Sequence, residues 1–367
     1  MFFSNINESL KRGPVLVAPL DWGLGHATRC IPIIKELVAL GVEVIIGAEG
    51  FVKILLQQEF PELQFIDMPG YRISYSKKKN WLPFKLLLQV PRIFSRIYAE
   101  QQLLKKLVQQ YGIKAVISDN RFGLYHKTIP TVYITHQLTI KTGNPFTEKM
   151  ARAIHYRFIK KYTHCWVPDF KGEVNVAGEL SHPAVLPPNV KYIGCISRFE
   201  QDEQAQKKYD LLVLISGPEP QRSLFEQKML EQLRDFNGRT LLVRGLPGAA
   251  EDPAPAGTNL QIKTHLTAAA MNEAMLQSKM VICRSGYTTI MDLIKLRQKA
   301  ILVPTPGQTE QEYLAGHLEE QQFFYSAAQT NFSLDKALKE TASLPFSILL
   351  FDMDQYRETV QDFVQVL

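Results

Sequence analysis

Residues 281–313 read VICRSGYTTIMDLIKLRQKAILVPTPGQTEQEY, and this stretch decides the fold. It begins with a three-residue apolar run, and Ser285-Gly286 then turns the chain into a segment with apolar residues at helical spacing. A second apolar run, 300–303, ends at Pro304. The order strand, glycine turn, helix and strand is that of a βαβ unit in a parallel sheet.

The glycine turn of such a unit lies at the carboxyl end of a strand, where the next helix directs free N–H groups outward. The turn at Ser285-Gly286 therefore predicts an anion site, most often one for a phosphate. Asp292 lies two turns into the same helix, where an acidic side chain can reach sugar hydroxyls. Similar turns also occur in units that bind no nucleotide, so the motif alone leaves the ligand open.

The order CRSG, an acid seven residues after Ser285, VP and a Gln/Glu cluster closely resembles the donor-binding motif of glycosyltransferase family 28. That family includes the bacterial enzyme that transfers N-acetylglucosamine from UDP-N-acetylglucosamine to a lipid-linked peptidoglycan precursor. The resemblance implies that Ser285-Gly286 faces a diphosphate, that Asp292 binds the ribose and that Gln311-Glu312 binds the donor sugar. The implied donor-binding residues of this stretch are Arg284, Ser285, Gly286, Tyr287, Thr288, Asp292, Glu310, Gln311 and Glu312.

Two positions depart from the family pattern: the ribose acid is Asp rather than Glu, and the second Gln of the sugar-binding pair is Glu312. The shorter acid reaches less far by one methylene. Glu312 replaces an amide with a pure hydrogen-bond acceptor. The identity of the donor sugar therefore stays open.

Length and composition predict a folded, cytoplasmic, two-domain protein. The chain has 367 residues, of which 46% are hydrophobic and 21% charged, values that are ordinary for a soluble protein. No apolar run approaches the roughly 20 residues that span a bilayer, and the N-terminus lacks the pattern of a secretory signal. The four cysteines are scattered without a CxxC pair, which favours reduced core thiols over disulfides or metal ligands. We expect neither a metal nor a cofactor.

The N-terminal segment predicts a second Rossmann-like unit. An apolar strand at 15–20 is followed by Gly23, Gly25 and His26, a helix that ends at Gly41, and a strand at 42–48. The third glycine of the dinucleotide motif is missing, so NAD binding is not expected. The helix start favours an uncharged imidazole at His26, which is the form that a general base requires. A polar cap is the alternative role for this histidine.

The loop GLGHATR resembles the GxGHxxR loops of sugar-nucleotide enzymes that consist of two Rossmann-like domains. The resemblance implies that His26 is the base, that Gly23 and Gly25 approach the donor, and that Arg29 contacts the acceptor. Asp119, at the end of the strand 114–118, resembles the acid that orients the base in plant-type UDP-sugar transferases, or else it is a loop cap.

His136-Gln137 follows the strand 131–135 and matches in place the acceptor-side motif of family 28, which implies acceptor binding. Further along the chain, Ser216-Gly217 resembles the second glycine loop of the family and Arg222 is suited to balance phosphate charge. His265-Leu266 falls where the family reads the uracil through backbone groups.

Residues 71–97 combine a cluster of lysines and arginines with aromatic and aliphatic side chains, and no acidic residue occurs from Met68 to Ala99. This composition is compatible with a nucleic-acid site, a membrane-surface contact or solvated lysines over a core helix. Because no RNA-binding motif accompanies it, we do not expect nucleic acid. Membrane contact and core packing both stay open.

These observations predict the GT-B fold, an α/β architecture in which two Rossmann-like domains face each other across a cleft. We expect an N-terminal acceptor-side domain at 1–197, a linker at 198–210, a donor-binding domain at 211–350 and a C-terminal helix at 351–367 that returns to the first domain. The Asp352-Met353-Asp354 motif is expected to be surface acid rather than a metal site.

The predicted function is an inverting glycosyltransferase that moves a hexose or N-acetylhexosamine from a UDP-sugar to a hydroxyl acceptor. A lipid-linked acceptor at the inner face of the cytoplasmic membrane would give the basic aromatic segment 71–97 a purpose. Two alternatives stay open: a UDP-sugar hydrolase of the pseudaminic-acid type, and a nucleotide-sugar-binding subunit without catalysis.

Overall fold

The computed structural model describes residues 12–21, 24–71, 82–246, 259–347 and 351–367. Within these ranges the chain forms two parallel β-sheets, each covered by helices on both faces. The central strands of both sheets are almost completely buried, because a parallel sheet is covered on both sides and its inner strands are continuous apolar runs. The expected α/β class with two Rossmann-like sheets is confirmed.

The N-terminal sheet contains seven strands within the described residues, with the spatial order β3-β2-β1-β4-β5-β6-β7. In chain order these strands are Arg12–Pro19 (β1), Val42–Ala48 (β2), Gln64–Asp67 (β3), Ala115–Asp119 (β4), Thr131–Ile134 (β5), His164–Val167 (β6) and Val190–Tyr192 (β7). The order reverses between β1 and β4, which opens a crevice at their carboxyl ends. The register pairs Pro19 with Asp119, so the loop after β1 begins beside the end of β4.

Four helices of the described residues belong to this half: Leu24–Ala39 (α1), Gly50–Glu59 (α2), Leu82–Tyr111 (α3) and Pro145–Ile159 (α4). The side chain of Asn144 accepts hydrogen bonds from the backbone N–H groups of Phe146 and Thr147 and thereby caps α4. The helix α3 begins at Leu82 and continues through Pro91.

The C-terminal sheet has the spatial order β10-β9-β8-β11-β12-β13 and reverses between β8 and β11. Its strands are Tyr209–Leu214 (β8), Thr240–Val243 (β9), Leu260–Lys263 (β10), Ser278–Cys283 (β11), Ala300–Leu302 (β12) and Tyr325–Ser326 (β13). The accompanying helices are Gln221–Leu233 (α5), Ala268–Leu276 (α6), Tyr287–Lys295 (α7), Thr309–Glu320 (α8) and Leu334–Ala342 (α9). The expected βαβ unit is β11-α7-β12, with Val281 paired to Ala300.

The last helix, Gln355–Gln365 (α10), packs against α1 and the N-terminal sheet. Tyr356, Val360 and Phe363 are buried there, and the Phe363 ring lies edge-on to Trp166 with ring centroids 5.5 Å apart. The side-chain amide of Gln361 also donates to Glu36 on α1. The two halves are therefore joined at the end of the chain as well as through the segment between β7 and β8.

The four cysteines are buried and free, as expected for core thiols. None of the helices in the described ranges combines the length and the apolarity that a membrane span requires.

Candidate functional site

A cavity of about 470 Å³ lies between the two halves, at the carboxyl ends of both sheets. Both halves contribute to its lining. The N-terminal half provides Gly25, His26, Arg29, Asn120, His136, Gln137, Ile140 and Lys141. The C-terminal half provides Tyr287, Thr288, Gly307, Gln308, Thr309 and Glu310.

His26, in the first turn of α1, is paired with Asp119 at the end of β4. The imidazole Nδ1 lies 2.9 Å from the Oδ1 atom of Asp119, and Asp119 is fully buried. Arg29 Nη2 lies 3.1 Å from the same nitrogen, but the carboxylate is nearer and only accepts hydrogen bonds, so it holds the proton on Nδ1 and leaves Nε2 as the free acceptor. This is the tautomer in which a histidine can take a proton from a substrate.

Arg29 lies one helical turn after His26 and holds the same carboxylate. Its Nε donates to Asp119 Oδ2 at 2.8 Å and its Nη2 donates to Oδ1 at 2.5 Å. Burial raises the pKa of Asp119, but the charges and hydrogen bonds of Arg29 and His26 outweigh burial and hold that pKa well below its usual range. The Arg29 side chain is only 3% exposed. Its hydrogen bonds lie within the protein, next to His26, although Arg29 also borders the cavity. The predicted contact of Arg29 with the acceptor stays a prediction.

His136 links this network to the C-terminal half. Arg29 Nη1 donates to His136 Nδ1 at 3.1 Å, so the other ring nitrogen carries the proton and donates to Glu310 Oε1 at 2.8 Å. The ring also stacks on Tyr287, with centroids 4.0 Å apart and an interplanar angle of 5°. Burial lowers the pKa of His136, against the opposing effect of Glu310.

The Ser285-Gly286 turn begins α7 at the edge of the cavity. Gly286 has extended dihedrals (φ −72°, ψ 135°) and precedes the first helical residue, and Tyr287 and Thr288 of the first turn line the cavity. The backbone N–H groups of a first helical turn have no acceptor within the helix. The Ser285 hydroxyl is buried and donates to the Gln311 carbonyl at 2.8 Å. The turn therefore offers backbone N–H groups rather than this hydroxyl to a ligand. Thr288 donates to the Gly25 carbonyl at 3.4 Å and joins the two glycine loops.

Two arginines that the sequence assigned to phosphate have other contacts. Arg222 is paired with Glu219 and Glu226, at 2.6 Å each, which takes up its charge. Arg284 is 2% exposed and donates to the carbonyls of Ser216, Gln221, Val303 and Pro304. It therefore joins the segments that follow β8 and β12 to the first residue of α5. Burial lowers the pKa of Arg284 to about 10.

Asp292 lies on the face of α7 that meets the segment between the sheets. Its Oδ1 accepts from the Ser197 hydroxyl at 2.5 Å, and the carboxyl is 8% exposed. Burial raises the pKa of Asp292 to about 7, although Ser197 and Arg198 act in the opposite direction. A carboxyl that is half neutral near pH 7 can both donate and accept hydrogen bonds.

Neither member of the expected sugar-binding pair is among the described residues that line the cavity. Gln311 Oε1 accepts from the Thr305 backbone N–H at 2.9 Å, and Glu312 Oε1 accepts from the Gly307 N–H at 2.8 Å. Both side chains thus fix the loop before α8. Glu310 is the member of this cluster that lines the cavity. Burial raises its pKa, but the hydrogen bond from His136 outweighs that effect and the pKa is lowered.

The remaining predicted residues divide between the cavity and its surroundings. Gly25 and Gln137 line it, whereas Gly23 lies outside the described residues. Gly217 has a φ of +108°, which a glycine adopts without strain, and it follows Ser216 at the end of β8. His265 is exposed beside α6. Partial burial of its ring and the nearby charge of Arg198 both lower its pKa. Leu266 packs against the C-terminal core.

Several residues that line the cavity were not among the predicted site residues: Asn120, Ile140, Lys141, Gly307, Gln308 and Thr309. Asn120 directly follows Asp119, so its place at a strand end was a visible signal. Lys141 forms an ion pair with Glu179, which is distant in the sequence, and no sequence pattern indicates this contact. Of the predicted basic aromatic segment, residues 72–81 and the side chains of 82–90 lie outside the described part. In its remainder, Phe94 is 49% exposed.

Residues 247–365 match the family described as "Glycosyltransferase family 28 C-terminal domain". An uncharacterized glycosyltransferase of Methanosarcina acetivorans is 24% identical over 81% of this chain and 79% of its own length. An uncharacterized glycosyltransferase of Methanopyrus kandleri is 21% identical over 76% of this chain and 81% of its own length.

Two solved structures are similar to this chain over nearly its whole length. The glycotransferase of kitacinnamycin has a TM-score of 0.65 at 14% identity and covers 97% of this chain and 98% of its own. The Acinetobacter baumannii MurG has a TM-score of 0.56 at 14% identity and covers 97% of this chain and 99% of its own. The expected resemblance to family 28 and the GT-B fold are confirmed.

Proposed function

We propose that this chain, which has the GT-B fold and matches the family 28 C-terminal domain over residues 247–365, is a glycosyltransferase that transfers a sugar from a nucleoside diphosphate donor to a hydroxyl acceptor with inversion at the anomeric carbon. The observation that carries the proposal is the His26–Asp119 pair, at 2.9 Å, in a cavity whose opposite wall is the N-terminus of α7. A base and an anion site on opposite walls are what a single displacement requires.

In the proposed reaction, His26 Nε2 takes the proton of the acceptor hydroxyl as that oxygen attacks the anomeric carbon. The bond from this carbon to the diphosphate oxygen breaks, and the nucleoside diphosphate leaves with the bonding electrons. The imidazolium that forms is stabilised by the carboxylate of Asp119, as in a Ser-His-Asp triad. Arg29 keeps that carboxylate ionised and in place.

The departing diphosphate is stabilised by the first-turn N–H groups of α7, since a helix N-terminus favours negative charge. Arg284 supports this site indirectly, because its four carbonyl contacts hold together the loops that follow β8 and β12 and the start of α5. We propose UDP as the nucleotide, with Asp292 at the ribose and the backbone at His265-Leu266 at the base. Glu310 is the acidic group available to the donor sugar in the cavity.

For the acceptor, we propose a lipid-linked hydroxyl presented at the inner face of the cytoplasmic membrane. Exposed apolar side chains support a membrane contact: Phe94 and Tyr98 on α3, and Phe146, Met150 and Ile154 on α4. The three on α4 recur every four residues and so share one helix face. The chain reaches α4 directly from Ile140 and Lys141, which line the cavity, so this surface lies beside the acceptor side of the crevice.

The test is release of nucleoside diphosphate from a panel of UDP-, GDP- and dTDP-sugars, with and without vesicles of a bacterial membrane lipid extract. We expect release from a UDP-hexose or UDP-N-acetylhexosamine that the vesicles accelerate, and a product of inverted anomeric configuration by NMR. Equal release without lipid would indicate a hydrolase. No release from any donor would contradict the proposed enzyme and leave a binding subunit.

A matched pair of variants connects the activity to the site. His26→Asn is expected to abolish release, whereas His126→Asn, in a surface loop where the ring contacts Thr128, should not change it. Equal losses in both variants would contradict the assignment of the activity to the crevice.

A further inference from the structure

Asn120 occupies a special backbone position at the acceptor side of the cavity. It follows β4 directly, and its backbone N–H donates to the Ile134 carbonyl at 3.1 Å. Its φ is +56°, in the left-handed region that asparagine tolerates better than most residues. The side chain is half-buried and lines the cavity together with His26 and Gln137.

A buried chain of hydrogen bonds from His155 through Tyr133 to Asn120, which we call the relay, holds one end of the Asn120 side chain. The Tyr133 hydroxyl donates to Asn120 Oδ1 at 3.1 Å, and His155 Nε2 lies 3.1 Å from the same hydroxyl. Since the hydroxyl has a single proton and gives it to Asn120, it accepts from the Nε2–H of His155. Tyr133 is fully buried and His155 is 4% exposed. Within the described residues, His155 Nδ1 has no hydrogen-bond partner, as expected for the unprotonated nitrogen.

The relay determines which end of the amide meets a substrate. Burial lowers the pKa of His155 to about 4, so the ring stays neutral and keeps one proton for Tyr133 near neutral pH. Because Oδ1 of Asn120 is occupied by Tyr133, the Nδ2 group with its two protons is the free end. Within the described residues no protein acceptor binds that group, and the residue borders the cavity.

We propose that the Asn120 amide donates a hydrogen bond to the acceptor substrate, at an oxygen next to the hydroxyl that His26 deprotonates. Tyr133 and His155 are positioning residues that hold the amide in this orientation. The acceptor that fits is one with a second oxygen beside the reacting hydroxyl, as in a sugar or a glycerol, rather than an isolated alcohol. This inference rests on the proposed transferase function, since an acceptor other than water is required.

Four variants test the proposal. Asn120→Asp keeps the shape and accepts from Tyr133 but offers no donor, and Asn120→Ala removes the donor without adding charge. Tyr133→Phe keeps the ring and removes the hydroxyl that orients the amide. Tyr125→Phe is the control, because Tyr125 belongs to the same aromatic cluster but its hydroxyl contacts Lys161 at the surface.

The readout compares two rates for each variant: nucleotide release in the presence of membrane lipid extract, and the slower release to water without it. Both Asn120 variants should lower the apparent kcat/KM for the extract about 10- to 100-fold, as expected for one lost hydrogen bond to a bound substrate. Release to water and the KM of the donor should change less than about twofold. Tyr133→Phe should show a smaller loss of the same kind, and Tyr125→Phe none.

Equal losses with extract and with water in the Asn120 variants would overturn the inference, because the residue would then act on the base or the fold. An unchanged rate with extract would overturn it as well. If the extract does not increase the rate at which the wild-type protein releases nucleotide, no acceptor contact exists and the inference fails. The proposal that His26 is the catalytic base would not be affected by that result. If the wild-type protein releases none from any donor, the proposed function itself fails.

Discussion

Replacing Asp119 by Asn separates the two tasks that the structure gives this carboxylate. Asp119 is fully buried and accepts hydrogen bonds from Arg29 at 2.8 and 2.5 Å and from His26 at 2.9 Å. The substitution preserves shape but removes the negative charge. It leaves the Arg29 guanidinium, 3% exposed, without its counterion.

Breaking a buried ion pair by removing one partner lowers the free energy of unfolding by about 3–5 kcal/mol. We expect Asp119→Asn near the lower end, because its amide oxygen still accepts one bond. Turnover should fall by about three to four orders of magnitude, as expected when a base loses the acid that fixes its tautomer.

The assay combines turnover with urea unfolding followed by tryptophan fluorescence. All three tryptophans lie in the first 197 residues, so the fluorescence reports on the half that contains Asp119. The double variant Arg29→Met, Asp119→Asn removes both charges. It should recover at least half of the lost unfolding free energy, because an apolar replacement of a buried pair is often neutral. Its turnover should stay as low as that of Asp119→Asn.

Two results would refute this reasoning. Strictly additive losses of unfolding free energy in the double variant would mean that Arg29 and Asp119 do not act as a pair. Recovery of turnover together with unfolding free energy would mean that Asp119 serves only as the counterion of Arg29 and has no role at His26.

Three further predictions follow from single contacts. The pKa of Asp292, about 7, exceeds the value of about 3.9 in an unfolded chain, so the folded state binds the extra proton and the free energy of unfolding falls as pH rises between these values. Relative to the wild type, the free energy of unfolding of Asp292→Asn should therefore rise by up to about 4 kcal/mol between about pH 4 and pH 8, as measured in urea titrations. Donor affinity should fall in this variant. A difference in unfolding free energy that does not depend on pH would contradict the effect of burial on this carboxyl. A Cβ at Gly25 would lie 2.9 Å from Thr288 Oγ1, so Gly25→Ala should lower turnover by separating the two glycine loops. Adding Thr288→Ala should restore part of the lost turnover. Full activity of Gly25→Ala alone would show that the two loops need not be in contact. Glu310→Gln should raise the KM of the donor or of the acceptor about tenfold, whereas Glu312→Gln, which removes a side-chain contact with the Gly307 N–H, should change these values less than about twofold. The reverse ranking in steady-state kinetics would support the predicted sugar contact of Glu312 instead.

The sequence indicated both the strands and the pairing of His26 with Asp119, and it did so for one common reason. Parallel strands are continuous apolar runs, and polar residues that follow them gather at one sheet edge. His26 and Asp119, 93 residues apart, meet at that edge because β1 pairs with β4. Asn120 could have been found by the same rule.

The roles of charged residues were harder to predict, since they depend on partners at a distance. Arg284 contacts carbonyls at the ends of separate chain segments, and no residue pattern marks a carbonyl. Arg222 is different: Glu219 and Glu226 lie at the i−3 and i+4 positions, so its ion pairs were visible in the sequence. Which of 310–312 meets the cavity depended on the phase at which α8 begins, and sequence patterns locate helix starts poorly.

The measurement that tests the account most directly compares donor affinity and turnover in His26→Asn. The shorter side chain keeps an N–H near Asp119 but has no basic nitrogen, so only the proton acceptor is lost. We expect a donor Kd within about twofold of the wild type and a turnover lower by about 10²–10⁴-fold. Wild-type turnover in this variant would show that another group removes the acceptor proton, and the proposed role of the His26–Asp119 pair would be wrong.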